Sequence, residues 1–459
     1  MKKHKVRKHS IPSQKGALIK RISKRNFADT KSLTLIQIGA FLEYFDLYLY
    51  VHMAVVLNEI FFPKTDPYTA SLIAAFTFSS TYILRPIGAL FFGYLGDIFG
   101  RKSTIIMTTS IMAFCSFTIA SLPSYQAIGI TAPIIMIVCR MLQGFSSIGE
   151  FVGAMTYVTE TTAPPRTYFI TTLVAFFTNL GSTFALAIGA FFMFINAENG
   201  WRTAFYFGSA IAVIGSVARS QLRETPEFSH EYLRGNTKNK TLKDLLPSYK
   251  TRRNFLCYLG VECLRPFYFY LSFIYIAAIL RNSYGYTTSE VISHNLCVSF
   301  VESLAMLAYG RLGLHYYPMK ILKIRGSLFL GFSFFLPFLL GSASNPYHIF
   351  FIQCALLILG EGACPAHALF IRAFPAIGRY TQASLAYALS RIVMTLTTAY
   401  GCTLVVEYFG FLGITALLIV FIGIYLFSVF LFSPSPNKLE GVNKNFPAEP
   451  PLQASNAIS

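Results

Sequence analysis

Long apolar stretches recur from one end of this chain to the other, and they constrain its fold more than any other feature. A helix that crosses a bilayer needs about 20 consecutive apolar residues. Stretches of that kind are predicted near residues 33–57, 69–92, 104–122, 131–157, 168–195, 203–222, 255–280, 289–310, 321–341, 348–371, 380–405 and 410–432. The sequence therefore predicts an all-α polytopic membrane protein with about twelve transmembrane helices.

The connectors between these spans are short except for one, which divides the spans into two groups of six. That connector is polar and contains Gly235, Asn236 and Pro247, so a linker with a short surface helix is predicted there. The predicted segments are a basic N-terminus (1–32), an N-terminal six-helix bundle (33–222), the linker (223–253), a C-terminal six-helix bundle (254–433) and a disordered tail (434–459).

Positive charge is distributed unevenly between the two sides of this layout. Arg219, Lys323 and Arg325 lie near the inner ends of their spans and are counted here as loop charges. Of the 38 Lys and Arg residues, 31 then fall on the side of the termini and the linker, three on the opposite side and four within spans. Because cytoplasmic loops carry an excess of Lys and Arg, both termini and the linker are predicted to be cytoplasmic. The net charge of +18 lies largely in the basic N-terminus and the linker. Basic segments next to a membrane are attracted to anionic lipid. No folded basic domain exists to bind nucleic acid.

The eight cysteines all lie in predicted spans, and none forms a C-x-x-C pair. They are interpreted as small buried side chains, so neither a disulfide framework nor a metal site is predicted, and no cofactor is implied. The basic N-terminus lacks the pattern of a signal peptide. No nucleophile or metal-ligand constellation occurs on a long loop. A transporter is therefore favoured over a polytopic membrane enzyme or a transporter-like sensor.

Ionisable residues within the predicted spans are the candidates for function. A charge at mid-bilayer costs about 2.5–3.5 kcal/mol on insertion scales, so each one needs a reason. The reason is either the locking of helices together or a part in transport, and the sequence leaves both open. The residues are Glu43, Asp46, Glu150, Glu262, Glu302, Glu361, Arg85, Arg140, Arg265 and Arg391.

Glu43 and Asp46 are three residues apart in the first span and therefore share a helix face. Two carboxylates this close in a low-dielectric environment disfavour joint ionisation, so one of them is expected to hold a proton. We hypothesise that this pair is the proton-coupling site.

Arg85 precedes Pro86 in the second span, and its guanidinium is suited to a bidentate grip on a carboxylate. Two readings stay open for Arg85, a substrate-facing cation and a salt bridge to an acid of the first span. Arg140 and Gln143 lie one turn apart and suit a polar cavity, and with Tyr44 and Arg85 they are the predicted substrate-binding residues.

Two further patterns concern helix ends and helix interiors. Gly93, Gly96 and Gly100 permit close backbone approach, and Asp97 is expected to accept N–H bonds at the start of the next helix. Glu150, at the inner end of its span, is predicted to anchor the cytoplasmic loops.

Two charged residues one turn apart in the seventh span, Glu262 and Arg265, are expected to form an intrahelical pair. Glu361 lies between Gly360 and Gly362, which indicates a point where the tenth span is interrupted.

Several sequence runs occur in an order that resembles a known family. They are G-A-F-L-E-Y-F-D (39–46), R-P-I-G-A-L-F-F-G-Y-L-G-D-I-F-G-R-K (85–102), R-M-L-Q-G-F-S-S-I-G-E-F (140–151), E-T-T-A-P-P-R (160–166), G-W-R (200–202) and L-R-E-T-P-E-F (222–228). Together they resemble the metabolite:proton symporter family, the proline/betaine transporter-like branch of the major facilitator superfamily.

This resemblance implies two six-helix bundles around a central cavity, alternating access, and proton-coupled uptake of an osmolyte or organic acid across a bacterial inner membrane by a monomer. Osmolytes of this family include proline and betaine, and the acids include 2-oxoglutarate, citrate and shikimate. By position, the resemblance implies a cytoplasmic gate made of Gly93, Gly96, Asp97, Gly100, Arg101, Glu150 and Arg166. An exchanger, an exporter or an uncoupled facilitator of the same fold is the alternative.

The second half departs from the family pattern at two positions. Leu314 stands where the second gate turn has an acid, and Arg372 replaces another usual acid. The C-terminal half of the gate is therefore expected to latch differently.

Overall fold

The computed structural model describes residues 30–62, 84–196, 199–237, 240–397 and 402–432, and within these ranges every regular element is a helix. The first group of helices, here called the N-half, comprises α1 (Thr30–Phe61), α2 (Arg85–Ile98), α3 (Arg101–Ser121), α4 (Tyr125–Ile128), α5 (Thr131–Thr161), α6 (Arg166–Ile195) and α7 (Gly200–Arg219). Residues 1–29 of the predicted N-terminus and the whole predicted tail (434–459) lie outside the described residues.

Two short helices occupy the linker, and a second group of helices, the C-half, follows. The linker contains α8 (Pro226–Leu233) and α9 (Leu242–Leu245). The C-half comprises α10 (Tyr249–Tyr270), a π-helical turn (Leu271–Tyr275), α11 (Ile276–Tyr284), α12 (Thr288–His315), α13 (Pro318–Gly341), α14 (Pro346–Gly360), α15 (His367–Ala373), α16 (Arg379–Leu396) and α17 (Thr403–Leu431).

Each of the twelve predicted spans overlaps one described helix or two consecutive ones. Part of the second span (69–83) and part of the eleventh (398–401) fall outside the described residues. Seven helical segments of the described part are long and apolar enough to cross a membrane. Large apolar side chains are exposed on the outer surfaces of the bundle, as at Phe194 and Phe338 of these segments and Phe351 of α14, which are 90%, 74% and 69% exposed. Such a surface is stable against lipid and unfavourable in water.

The two halves meet along two pairs of helices. α2 of the N-half packs on α16 of the C-half, and α6 packs on α12. Within the N-half, α1 packs on α6 and α7, while α3 packs on α5 and α7. Small residues permit the close packing, since a Cβ added at Gly88 would lie 2.0 Å from the carbonyl oxygen of Phe145.

The tenth predicted span (348–371) is not one helix, because α14 ends at Gly360 and α15 begins at His367. Pro365 has no N–H to donate, and the segment before it leaves carbonyl oxygens without helical partners. Arg325 of α13 donates to two of these oxygens, those of Gly362 at 2.5 Å and Cys364 at 2.8 Å. A buried guanidinium thus stabilises the interruption inside the bundle, where the freed backbone groups have no water.

The linker begins with a capped helix. Thr225 accepts a hydrogen bond from the Phe228 N–H at 3.4 Å, and Pro226 occupies the first helical position. These are favourable residues for starting a helix. The helix lies directly beside the ends of α3 and α5, and it brings the acidic residues of the linker to the place where the two halves meet.

Candidate functional site

Asp97, near the end of α2, holds the start of α16 from the opposite half. It is fully buried, and its carboxylate accepts hydrogen bonds from the Thr381 N–H (2.9 Å), the Thr381 hydroxyl (2.7 Å) and the Tyr380 N–H (3.3 Å). The first N–H groups of a helix have no partners within the helix, so Asp97 supplies a cap from outside. We call this end of the molecule, where the linker (223–253) lies, the linker face.

Asp97 was expected to accept N–H bonds where a new helix begins, and the helix that it caps is α16 of the other half, not α3, which follows it in the chain. Glu224 of the linker caps α3 instead by accepting hydrogen bonds from the backbone N–H groups of Arg101 (3.0 Å) and Lys102 (3.1 Å). Burial raises the pKa of the Glu224 carboxyl above its ordinary value, while the N–H groups of Thr225 and Lys102 oppose that effect. The linker is therefore part of the closure at the linker face.

A chain of buried charges of alternating sign crosses between the halves at this face. Arg101 is fully buried and binds Glu160 through two nitrogens, at 2.9 and 3.1 Å, and Asp97 at 3.4 Å. Arg379 of the C-half also binds Glu160, at 3.0 Å. Arg101 further donates to the carbonyl oxygen of Ala376 at 2.8 Å. Removal of one member would leave its partners as uncompensated buried charges.

The run E-T-P-E-F contributes to this network, although in the sequence it was only a family marker. The Thr225 hydroxyl donates to Glu160 at 2.6 Å, and Glu227 pairs with Arg379. We refer to Asp97, Arg101, Glu160, Glu227 and Arg379 as the gate network. Glu160 opens the run E-T-T-A-P-P-R (160–166), but its pairing with Arg379 joins distant parts of the chain, and no local pattern reveals it.

The glycines of α2 allow the halves to touch at the gate network. A Cβ added at Gly93 would lie 2.7 Å from the Cα of Thr381, and one at Gly96 would lie 2.9 Å from the Tyr380 ring. The Tyr380 hydroxyl donates to the carbonyl oxygen of Gly149. Gly100 has φ 111°, which a residue with a side chain rarely adopts, and it leads directly into α3.

Arg372 connects the C-half to the N-half at the position where the family pattern has an acid. Its guanidinium donates to the carbonyl oxygens of Thr159 at 2.8 Å and Thr162 at 2.6 Å, at the end of α5. The C-terminus of a helix carries partial negative charge, so a cation suits this position and an acid does not. Arg166, predicted in the gate, lies exposed at the first residue of α6.

Glu150, also predicted in the gate, lies deeper, inside the N-half. Its carboxylate is 3.4 Å from Arg219 of α7, and Arg219 also donates to the Thr109 hydroxyl. Arg219 was counted among the loop charges, and this was wrong, because the residue is 1% exposed. Its guanidinium lies against Gly39 of α1, where the missing side chain makes room.

Glu43 and Asp46 are both buried on α1 but have different neighbours. The charges of Glu150, Arg85 and Arg219 act on Glu43. The two readings of Arg85, a substrate-facing cation and a salt bridge to an acid of the first span, stay predictions. Asp46 lies beside Ser116, and the charges of Glu150 and Arg140 reach it. The charge of Glu150 therefore interacts with the carboxyl groups of both Glu43 and Asp46.

Arg140 and Gln143 form a polar group with α3, inside the N-half. Arg140 donates to the Gln143 side-chain oxygen at 2.8 Å, and Gln143 donates to the Ser116 hydroxyl at 3.2 Å. The Arg140 guanidinium also lies 3.8 Å from the centre of the Tyr50 ring. Both residues are buried, and Arg140 is the cation nearest to Asp46.

Tyr44, by contrast, lies where the halves meet. Its hydroxyl is 2.9 Å from the hydroxyl of Tyr387 on α16, and the Tyr387 ring lies 4.9 Å from that of Phe151. The Arg391 guanidinium covers the other side of Tyr387 at 4.2 Å. Tyr44 and Tyr387 thus join α1 of the N-half to α16 of the C-half.

The expected pair between Glu262 and Arg265 is not formed. Glu262 instead binds Arg391 at 3.1 Å and lies 3.5 Å from Nδ1 of His367. Arg265 is only partly buried, and within the described residues it has no hydrogen bond or ion pair. Its charge faces Glu361 and Glu302 in the C-half and Tyr44 in the N-half. The spacing of Glu262 and Arg265 would permit an intrahelical ion pair, but the Glu262 carboxylate binds Arg391 of another helix instead.

Glu302 of α12 and Glu361 of the interrupted segment come together beside Arg265. The charges of Glu361 and Arg265 act on Glu302. The Tyr268 hydroxyl donates to Glu361 at 3.3 Å, and both acids are 1% exposed. Asn179 of α6 donates to the hydroxyl of Ser303, the residue next to Glu302, at 2.9 Å. The sequence named both acids but not their neighbours.

Within the described residues, no three His, Cys, Asp or Glu side chains are placed to hold a metal ion. The arrangement is instead that of two helical halves, a closed contact at one face, and buried charges of both signs along the interface. The profile of the Major Facilitator Superfamily matches residues 36–401, which include both halves. The chain belongs to the Major Facilitator Superfamily. The predicted fold class is thereby confirmed.

Curated relatives of this superfamily member are transporters. A proline/betaine transporter of Salmonella typhimurium is 29% identical over 402 residues, which cover 82% of this chain and 77% of the relative. The inner membrane metabolite transport protein YhjE of Escherichia coli is 30% identical over 387 residues, with coverages of 81% and 86%. The alpha-ketoglutarate permease of Escherichia coli is 28% identical over 389 residues, with coverages of 82% and 88%.

A solved structure supports the same fold. The proton:xylose symporter XylE, bound to 6-bromo-6-deoxy-D-glucose, superposes with a TM-score of 0.71 over 87% of this chain and 94% of that one, at 14% identity. This superfamily member is therefore a multi-pass inner-membrane transporter and not an enzyme.

Proposed function

We propose that this transporter takes up a small solute bearing a carboxylate, together with protons. The solute is either a zwitterion of the proline or betaine type or an organic acid. The observation that carries the proposal is Arg265, a cation in the middle of a membrane-spanning helix that has no hydrogen bond and no ion pair within 4.0 Å among the described residues. An intramembrane charge without a partner is costly. A substrate carboxylate would supply that partner through two parallel hydrogen bonds.

The linker face is proposed to be cytoplasmic, with both termini on the same side. The excess of Lys and Arg in the linker and the N-terminus supports this orientation. The gate network then closes the cytoplasmic end, and the cavity would be loaded from the opposite side. Transport requires the gate network to break, because its charges join residues of both halves.

Proton coupling is assigned to Glu43 and Asp46, and substrate contact in the N-half to Arg85, Tyr44, Arg140 and Gln143. Both acids are almost completely buried, at 3% and 1% exposure. A buried carboxyl takes up a proton more readily than an exposed one, because burial disfavours its charged form. Tyr44 supports the assignment of a substrate site, since it spans the two halves next to Glu43.

The experiment is uptake of radiolabelled proline, betaine, 2-oxoglutarate, citrate and shikimate into proteoliposomes with an imposed inward proton gradient. Accumulation of one compound that a protonophore abolishes would support symport. Equilibration that ignores the gradient would contradict proton coupling and favour a facilitator or exchanger. No movement of any compound would contradict the proposed substrate class.

Variants of the two acids test the assignment of the proton site. Glu43→Gln and Asp46→Asn should each abolish gradient-driven accumulation, with exchange of labelled for unlabelled substrate retained. Glu231→Gln removes an acid from the exposed part of the linker and serves as the matched control. Full gradient-driven uptake by both acid variants would refute the assignment.

A further inference from the structure

Three buried polar atoms without a hydrogen-bond partner among the described residues lie close together in the C-half. They are Oε1 of Glu262, Nδ1 of His367 and the hydroxyl oxygen of Tyr258, and these side chains belong to residues that are 2%, 3% and 0% exposed. Oε1 of Glu262 lies 3.5 Å from Nδ1 of His367, but the contact does not have the geometry of a hydrogen bond. A buried polar atom that stays unpaired is costly, so three of them in one place require an explanation.

The fold brings these atoms together from two helices, beside the interface between the halves. Tyr258 and Glu262 are four residues apart on α10 and are therefore neighbours on one helix face. His367 is the first residue of α15, after the helix interruption, and its ring centre lies 6.5 Å from that of Tyr258. Phe151 of the N-half also lies against His367, with the ring centres 6.3 Å apart. A ligand at this place would therefore contact both halves.

All three atoms can accept a hydrogen bond. A carboxylate oxygen only accepts, a tyrosine hydroxyl oxygen accepts as well as donates, and Nδ1 of a neutral histidine accepts when the proton is on Nε2. Arg391 binds the other oxygen of Glu262 at 3.1 Å and leaves Oε1 for a further donor. We refer to Tyr258, Glu262 and His367 as the acceptor cluster. Its ligand has to donate hydrogen bonds, and a positive charge on the donor strengthens the bond to the carboxylate.

We propose that the acceptor cluster binds the ammonium group of a zwitterionic substrate through its N–H groups. This inference rests on the proposed function, in which Arg265 binds the substrate carboxylate, and it selects the zwitterion from the two solute classes given there. Glu262 and Arg265 are three residues apart on α10, a spacing that places Cβ atoms about 5–6 Å apart. Their opposite charges do not pair with each other, since Glu262 binds Arg391. An amino acid can therefore reach both with its two charged ends.

The aromatic side chains beside the cluster favour an ammonium with N–H groups over a quaternary ammonium. A quaternary ammonium is recognised by the faces of several aromatic rings, and it donates no N–H bond. Here one face of each of two nearby rings is already covered. The Arg391 guanidinium lies 4.2 Å from the centre of the Tyr387 ring, and the Tyr258 ring stacks on Phe370 at 5.6 Å. A quaternary ammonium would also leave the three acceptors unpaired.

The first test compares ligands that differ only in their N–H groups. Purified protein in nanodiscs binds radiolabelled L-proline, and unlabelled L-proline, N-methylproline and N,N-dimethylproline compete for the site. The three compounds have the same carboxylate and the same positive charge, but only the last has no N–H group. N,N-Dimethylproline should compete about 10- to 100-fold more weakly than proline, because it leaves the acceptors without donors. Equal competition by these two compounds would overturn the inference.

A variant of one acceptor tests whether the preference arises at this cluster. Tyr258→Phe keeps the ring and removes the hydroxyl, so its affinity for proline should fall about 3- to 10-fold, with little change for N,N-dimethylproline. Tyr168→Phe is the matched control, because Tyr168 is also buried, has an unpartnered hydroxyl and lies near the start of α6. It should keep the preference of the wild type. The same preference in both variants would contradict the assignment to the acceptor cluster.

Two further ligands separate this inference from the proposed function. Radiolabelled 2-oxoglutarate has carboxylates and no ammonium, so its binding without binding of proline would overturn the ammonium site and leave carboxylate uptake standing. If neither compound binds, pyrrolidinium, which has the ammonium of proline without its carboxylate, tests the cluster alone. It should raise the melting temperature of the wild type more than N,N-dimethylpyrrolidinium does at equal concentration. Equal melting temperatures with the two cations would overturn the inference.

Discussion

Asp97 provides the most direct test of how the linker face closes. The Asp97→Asn substitution keeps the size of the side chain but replaces one acceptor oxygen by an NH₂ group. That group would face the N–H and hydroxyl donors of Tyr380 and Thr381, which now bond to the carboxylate at 2.7–3.3 Å. About two of the three bonds between the halves should be lost.

The magnitude follows from the charge of the acceptor. A hydrogen bond to a charged group contributes about 1.5–3 kcal/mol, so the closed state should lose about 3 kcal/mol relative to the open one. Since about 1.4 kcal/mol is a factor of ten, the population open at the linker face should rise about a hundredfold. The ion pair of Asp97 with Arg101 lies within the N-half, so it contributes little to this difference.

The assay is the rate at which a soluble maleimide labels Ser384→Cys in nanodiscs. Ser384 is fully buried one turn into α16, behind the gate. Labelling reports the open population when opening and closing are faster than the reaction. The protein without Ser384→Cys corrects for native cysteines, and Glu231→Gln serves as the control for loss of an acid at the linker face. A labelling rate within about twofold of the parent would refute the role of Asp97 as the cap between the halves.

Three other predictions concern the gate and the helix interruption. Glu160→Gln should lower the midpoint of thermal unfolding by the equivalent of about 3 kcal/mol, because it leaves two arginines buried without their anion. Glu224→Gln should cost less than about 1 kcal/mol, because the fold raises the pKa of Glu224 and thus disfavours its charged form. Equal losses of stability in the two variants would contradict this ranking. Gly93→Ala should increase maleimide labelling of Ser384→Cys, because the added Cβ would lie 2.7 Å from the Cα of Thr381 in the first turn of α16. Gly331→Ala should have no effect, because no atom lies within 4 Å of the Cβ added there. Equal labelling in the two variants would argue against close approach of the halves at Gly93. Arg325→Lys should reduce the free energy of unfolding by about 2 kcal/mol, since an ammonium group cannot span two carbonyl oxygens as the guanidinium does. A melting point equal to that of the wild type would show that the helix interruption is stable without the guanidinium.

Several features of the gate could be predicted from the sequence because they are local. The glycines of α2 and the acid and base around Gly100 lie within one run of 18 residues (85–102). The partners of these residues could not be predicted. Asp97 caps a helix of the other half, and Arg101 shares Glu160 with Arg379. These contacts join positions far apart in the chain.

The placement of charge was predicted less well. Arg219 and Arg325 were counted as loop residues, because each lies near the end of an apolar stretch where a loop begins. Both are buried in the bundle, where Arg219 has Glu150 and Arg325 has backbone oxygens as partners. Hydropathy measures the average polarity of a stretch, and it does not report whether a partner exists for one charge.

The sequence by itself determined the order of the apolar helices and their division into two halves. The length of an apolar stretch decides whether it can cross the bilayer, the basic residues beside it decide its orientation, and both are local properties of the sequence. Only the tertiary structure decided which buried charges meet. Glu262 lies one turn from Arg265, yet it binds Arg391 of another helix, and Glu361 accepts a hydrogen bond from Tyr268 of α10. A charge inside a membrane takes the partner that its packed neighbours bring within reach, and those neighbours come from the whole fold.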